Sequence, residues 1–135
     1  MKHILLLTTG GTIASRPTEE GLAPGMDGDA LTRHFPLLSE NYALTVRDIL
    51  HLDSSNIQPE EWQLIARAVH DQRAAYDGVV ITHGTDTMAY TASVLSFMLR
   101  GIPIPVVLTG SQLPIEHPLT DALENLRIAF AMAAS

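Results

Sequence analysis

Cysteine is absent from the 135 residues, which excludes a disulfide framework, a thiolate metal site and a cysteine nucleophile, and fits a reducing compartment. Basic residues are scarce: 8 Lys plus Arg stand against 15 Asp plus Glu, a formal net charge of −7, and lysine occurs once, at Lys2. That excess of acid argues against electrostatic partnership with DNA, RNA or anionic lipid. Long apolar runs are missing too. After Met1-Lys2-His3 the run Ile4 to Leu7 falls short of the about 7–15 residues of a secretory signal and the about 20 of a membrane span. The longest uncharged stretch, Gly101 to Ile115, is broken by Pro103, Pro105 and Pro114. None of the six histidines lies four residues from another, so no metal site is expected. A cytoplasmic chain without membrane or nucleic-acid partners is the expectation.

What is present is ordinary globular material. Hydrophobic residues make up 46% and charged residues 17%, which excludes a disordered chain. A single domain over 1–135 is expected at this length, with a core that needs no staples. Ile4 to Thr8, Val79 to Thr82 and Val106 to Thr109 are continuous apolar runs ending in Thr, the pattern of strands buried on both faces of a parallel sheet. Ala43 to Leu52 reads as a more polar strand, with Leu44, Val46 and Ile49 inward.

Helical patterns lie between them. Pro59 suits a first helical position, followed by Glu60 and Glu61 at the positive dipole end. Trp62, Ile65, Ala66 and Val69 then form one apolar face. A second helix is expected from Asp86 or Thr87 to about Arg100, with Met88, Ala92, Leu95 and Leu99 as its stripe and Gly101 as its C-cap. A third is expected from about Pro118, burying Leu119, Leu123, Leu126 and Phe130. Met88, Met98 and Phe130 read as core. Strand–helix alternation at this spacing predicts an α/β fold: an open parallel sheet, doubly wound in the Rossmann or flavodoxin manner, with helices on both faces. Arg16 to Gly28, with Pro17, Gly21, Pro24, Gly25 and Gly28 plus Glu19, Glu20 and Asp27, fits neither period. It reads equally as a lid over the sheet's carboxyl edge or as a solvated loop.

The chemistry-bearing residues gather where strands end. Three strands finish in Thr8-Thr9-Gly10-Gly11-Thr12, Thr82-His83-Gly84-Thr85-Asp86-Thr87 and Thr109-Gly110-Ser111-Gln112; the fourth runs into Asp53-Ser54-Ser55-Asn56. Such ends converge on one crevice in a doubly wound sheet, and glycine lets backbone approach a ligand closely. Ser and Thr at strand ends often just cap the next helix, but four such turns exceed what capping requires. A phosphate site fits poorly, because none of these turns carries Lys or Arg and no nucleotide-binding glycine pattern is present. No serine elbow accompanies His83, which reads as a buried, hydrogen-bonded histidine. Threonine remains as a nucleophile that would need a base and oxyanion donors, and Thr85 beside Asp86 is placed to orient such a base or a water.

Thr9-Gly10-Gly11-Thr12-Ile13-Ala14-Ser15 and His83-Gly84-Thr85-Asp86-Thr87-Met88 resemble the two signature motifs of the bacterial-type asparaginase/glutaminase family. Asp53-Ser54-Ser55 followed by Pro59-Glu60-Glu61-Trp62, and Thr109 to Pro114, resemble its type I, cytoplasmic branch. The likeness runs in order over nearly the whole chain. It implies hydrolysis of the side-chain amide of L-asparagine to L-aspartate and ammonia, without metal or organic cofactor. By position Thr12 would be the nucleophile forming the acyl-enzyme, Thr85 the second catalytic threonine, and Asp86 a catalytic-site group holding the substrate's α-ammonium. Asp53, Ser54 and Ser55 would hold its amino-acid end, Ser54 on the α-carboxylate, with Gly11 and Gly84 completing the substrate site.

Two departures stand out. Leu22 lies where the family commonly carries a lid tyrosine, and no lysine follows Lys2 to take the place of the family's active-site lysine. Family chains are more than twice as long, so the family's C-terminal domain is absent from 1–135. The first strand follows the initial Met and the last helical pattern ends cleanly, so a short-form asparaginase is expected. Loss of a general acid–base group costs about 10²–10⁴ in rate and leaves activity measurable. The alternatives are a non-catalytic amino-acid-binding relative, and a glutaminase or amidase component of a larger assembly. Asparagine is expected over glutamine by family analogy. One uncovered sheet edge and a half-built site favour a homo-oligomer, dimer or tetramer.

Overall fold

A computed structural model of the chain describes residues 1–18, 21–24 and 26–135. In chain order the described elements are β1 (His3–Gly10), a 3-10 turn (Thr12–Ala14), β2 (Ser15–Thr18), β3 (Gly21–Pro24), α1 (Gly28–Arg33), α2 (Leu37–Asn41), β4 (Ala43–Leu52), a second 3-10 turn (Ser54–Asn56), α3 (Pro59–Gln72), β5 (Gly78–Thr82), α4 (Met88–Met98), β6 (Val106–Thr109) and α5 (Ala122–Ala133).

β4, β1, β5 and β6 form one sheet in that order, all parallel, with Leu6 opposite both Val46 and Val80. The predicted α/β architecture is therefore the observed one. Ile4, Leu6 and Val80 pack with Leu31, Leu126 and Phe130 of α1 and α5 on one face. Leu5, Leu7, Val79 and Ile81 pack with Ile65, Val69, Leu95 and Leu99 of α3 and α4 on the other. Burial on both faces explains why β1 and β5 show no alternation. β4 is an edge strand with Leu44, Val46 and Ile49 half-buried, which accounts for its more polar sequence. The outer edge of β6 is flanked by apolar grooves, one lined by Leu95, Leu99, Val106 and Leu108, the other by Val107, Ile128 and Ala129.

Several expectations are corrected. The aperiodic segment after β1 holds an antiparallel ribbon, β2 against β3, with Ser15 opposite Pro24 and Thr18 opposite Gly21. Its predicted Glu19, Glu20 and Gly25 lie outside the described residues. Short α1 and α2, invisible to periodicity, follow it. α4 closes at Leu99 rather than at Gly101, whose φ of +81° takes the left-handed turn just beyond. Met98 is 45% exposed rather than core. α5 begins at Ala122, not near Pro118, so its buried stripe is Ala122, Leu126, Ala129, Phe130 and Ala133; Leu119 is 80% exposed and Leu123 is also exposed. Residues 117–121 stay a turn because side chains satisfy their backbone: His117 Nδ1 accepts the Leu119 N–H, and Thr120 Oγ1 accepts the Ala122 N–H, local bonds that compete with a helix.

Candidate active site

Parallel strands deliver all four strand-end turns to the carboxyl edge of the sheet. In order of appearance the sheet reads second, first, third, fourth, so the crossovers reverse direction at β1, and the ligand crevice of such a sheet opens beside the reversal. There the turns are in backbone contact. A Cβ built on Gly11 would lie 2.6 Å from Gly84 N, and one on Gly84 would lie 2.6 Å from Ser54 Oγ. Gly11, at φ 88° and ψ 179°, occupies a region that is essentially glycine's alone. On Gly110 a Cβ would meet the His83 carbonyl at 2.3 Å, which brings in the fourth turn.

Hydrogen bonds tie the turns together. The Gly11 N–H donates to the Leu52 carbonyl at 3.1 Å, and the His83 N–H donates to the Thr109 carbonyl at 2.8 Å. Thr9 Oγ1 donates to the Thr82 carbonyl at 2.7 Å, and Thr87 Oγ1 to the Ser54 carbonyl at 2.8 Å. With its N–H committed to Leu52, Gly11 offers a ligand close approach and not a donor. A small recess lined by Thr9, Leu52, Ser54, His83 and Gly84 lies among them.

The sequence-predicted residues fall as follows. Thr12 opens the first 3-10 turn and is half-buried. Asp53 is exposed and caps the second 3-10 turn, accepting the Ser55 N–H at 3.1 Å. Ser54 and Gly84 are buried, Ser55 and Asp86 exposed, and Gly11 and Thr85 half-buried. The turns carry two carboxylates, Asp53 and Asp86, among neutral hydroxyls and no Lys or Arg. That balance suits a ligand bearing an ammonium with a carboxylate beside it, and it suits a phosphate badly. Among the described residues no group of three His, Asp or Glu could hold a metal ion.

His83 is buried, in agreement with the sequence reading, with Nδ1 2.7 Å from the Gly84 carbonyl and Nε2 2.9 Å from Thr91 Oγ1. Desolvation by burial pushes its pKa down, opposed by the Gly84 bond, so the imidazole is neutral at pH 7. Thr91, fully buried on α4, also accepts the Trp62 indole N–H at 2.7 Å. Sequence reasoning missed this partnership. Its signal was there in a tryptophan on an amphipathic face, whose N–H needs a partner when covered.

Two acidic side chains also escaped notice. The Asp121 carboxylate accepts the N–H groups of Gln112 and Leu113 and an Asn125 Nδ2–H, while Asn125 also donates to the Gly110 carbonyl at 2.9 Å. Desolvation pulls the Asp121 pKa upward, but these hydrogen bonds outweigh it and hold the group below its usual value. Asp48 accepts the Thr8 hydroxyl and, at 2.7 Å, the Gly28 N–H, which fixes the chain where it leaves the β2–β3 ribbon.

Comparison with known proteins adds to the geometry. A family model described as "Asparaginase, N-terminal" matches residues 3–135. An L-asparaginase of Thermococcus kodakarensis is 54% identical over 131 residues, 96% of this chain and 40% of that one. A solved structure of the thermostable L-asparaginase from Thermococcus kodakarensis superposes with a TM-score of 0.89 at 53% identity, covering 97% of this chain and 40% of that one. A subunit of the Glutamyl-tRNA(Gln) amidotransferase of Thermoplasma acidophilum is 39% identical, over 99% of this chain and 33% of its own. A structure named a probable cytoplasmic L-asparaginase, from Campylobacter jejuni, matches with a TM-score of 0.84 at 34% identity, over all of this chain and 40% of its own. The chain thus spans about two-fifths or less of the length of these relatives.

Proposed function

The chain belongs to the asparaginase family, matched along that family's N-terminal part, and on that premise we propose that it is an amidohydrolase converting L-asparagine to L-aspartate and ammonia. In this reading the Thr12 hydroxyl oxygen attacks the side-chain amide carbon, its proton leaves with the departing ammonia, and an ester on Thr12 remains. Water then hydrolyses the ester to release L-aspartate. Thr85 and Asp86 serve the proton transfer, Asp86 also holding the α-ammonium. Asp53, Ser54 and Ser55 hold the amino-acid end, and Gly11 and Gly84 let the turns close around it. The proposed chemistry uses no metal or organic cofactor.

What supports the reading most is one observation: the turns carrying Thr12, Ser54 and Thr85 meet at Gly11 and Gly84, and the four strand-end turns carry two carboxylates and no Lys or Arg. The test is ammonia release from L-asparagine by a preparation free of host enzyme, alongside Thr12→Ala and Thr85→Val. Both variants are expected to lose turnover, and a quenched reaction is expected to show an acyl adduct on Thr12 by mass spectrometry. Wild-type turnover in both variants refutes the assignment.

Residues 1–135 act in this reading as one α/β domain. No described helix is long and apolar enough to cross a membrane, and a cytoplasmic location is proposed with the likeness to a probable cytoplasmic asparaginase in support. Pairing of copies, as dimer or tetramer, is proposed from the apolar grooves beside β6, and light scattering at micromolar concentration tests it. A second reading, an amidase component of a larger assembly, is favoured by the relative named as part of an amidotransferase. Full activity of the chain alone at high dilution counts against it.

A further inference from the structure

We propose that Trp62, Thr91 and His83 form a positioning relay, a directed chain of hydrogen bonds from α3 through α4 that sets the Gly84–Thr85–Asp86 turn against Gly11 and Ser54. The proposal rests on the reading of Thr85 and Asp86 as site residues.

The direction of every bond follows from the chemistry of its ends. The Trp62 indole nitrogen can only donate, and it reaches Thr91 Oγ1 at 2.7 Å. The Gly84 carbonyl can only accept, so His83 Nδ1, 2.7 Å away, carries the proton. In a neutral imidazole Nε2 is then an acceptor, and the Thr91 hydroxyl at 2.9 Å donates to it. The Thr91 hydroxyl thus accepts once and donates once, and with a neutral imidazole no second arrangement satisfies all three bonds. Thr91 and His83 are both buried, so a lost partner there leaves a desolvated polar group without its bond.

The far end of the chain lies at the site. Gly84 is the residue whose backbone abuts Gly11 on one side and Ser54 on the other, with no room for a Cβ. Thr85 and Asp86 follow it directly. Fixing the Gly84 carbonyl therefore fixes the plane from which both side chains project. His83, Thr91 and Trp62 are positioning residues in this proposal: each acts through the Gly84 turn.

The experiment uses the full chain at pH 7. Long-range proton–nitrogen correlation spectra of the imidazole are expected to show the Nδ1–H tautomer of His83 in the wild type and in Thr91→Ser, and in Thr91→Val the same tautomer with its Nε2 resonance shifted by loss of the hydroxyl donor. The amide signals of Gly84, Thr85 and Asp86 are expected to move in Thr91→Val and to return in Thr91→Ser. With L-asparagine as substrate, Thr91→Val is expected to lower kcat roughly 10–100-fold with KM little changed, the scale of a small misplacement at a reacting centre, and Thr91→Ser to restore it. Trp62→Phe, which keeps the ring packing and removes the donor, is expected to shift the same amide signals to a smaller extent. It carries the comparison if Thr91→Val does not fold. An Nε2–H tautomer in the wild type overturns the relay, as do unmoved Gly84–Asp86 signals in both Thr91→Val and Trp62→Phe. A wild-type chain that releases no ammonia overturns the catalytic reading instead, and the tautomer and amide signals still decide the relay.

Discussion

Replacing Gly11 by alanine is the perturbation that most directly probes the convergence of turns. Two separable penalties arise. Gly11 sits at φ 88° and ψ 179°, a glycine-only region where another residue is strained by on the order of 1–3 kcal/mol. Its added Cβ would also lie 2.6 Å from Gly84 N and 2.7 Å from Gly84 Cα, backbone atoms that cannot swing aside, and overpacking of that kind costs about 1–3 kcal/mol. Gly101 is the internal control. Its φ is +81°, but nothing lies within 4 Å of the position a Cβ would take, so Gly101→Ala meets the left-handed penalty of about 1–2 kcal/mol alone. Urea unfolding followed by far-UV circular dichroism, with linear extrapolation to water, measures both. Gly11→Ala is expected to lose about 1–4 kcal/mol more than Gly101→Ala, a large share of the about 5–15 kcal/mol typical of a domain. Equal losses, or a smaller one at Gly11, would refute the contact between the Gly11 and Gly84 turns and with it the site built on that contact.

Other expectations follow from single side chains. Thr82 Oγ1 is buried without a partner among the described residues, so Thr82→Val, nearly the same shape, is expected to stabilise the chain by about 1 kcal/mol in thermal unfolding; destabilisation would reveal an unseen partner. Asp121, its pKa depressed in the fold, contributes stability that is present above the unfolded carboxylate pKa and lost as pH falls through the folded one. Wild-type stability should therefore decline below about pH 4, and Asp121→Asn, already weaker at pH 7, should decline less; parallel curves would sink this account. Phe130, fully buried against Tyr42 with ring centroids 5.5 Å apart, is expected to cost about 3–5 kcal/mol when cut to alanine. Leu119→Ala is expected to stay within about 0.5 kcal/mol of the wild type, and a large loss there would contradict the α5 boundary.

How much of this was legible in the sequence depends on how local each signal is. β1, β5 and β6 were readable because burial on both faces leaves an apolar run with no polar break. α3 was readable from Pro59 and a full stripe. α1 and α2, of 6 and 5 residues, offer too little of a stripe to register. In the β2–β3 ribbon, Pro17 and Pro24 obscure strand character. Pro118 looked like a helix start, and His117 and Thr120 overrode it with local hydrogen bonds. The glycine–hydroxyl turns were legible because each is compact in sequence. Trp62, Thr91 and His83 were not, because their pairing depends on how α3 and α4 settle against the end of β5, and no spacing encodes that.

Trp62 is the only tryptophan in the chain, half-buried where α3 meets α4. Its indole is bonded to a hydroxyl that in turn touches the imidazole beside Gly84. The protein therefore carries an intrinsic fluorophore wired to the crevice. Emission excited at the indole band comes from one place and needs no label, and a ligand in the crevice that displaces that hydroxyl is expected to shift its wavelength or yield.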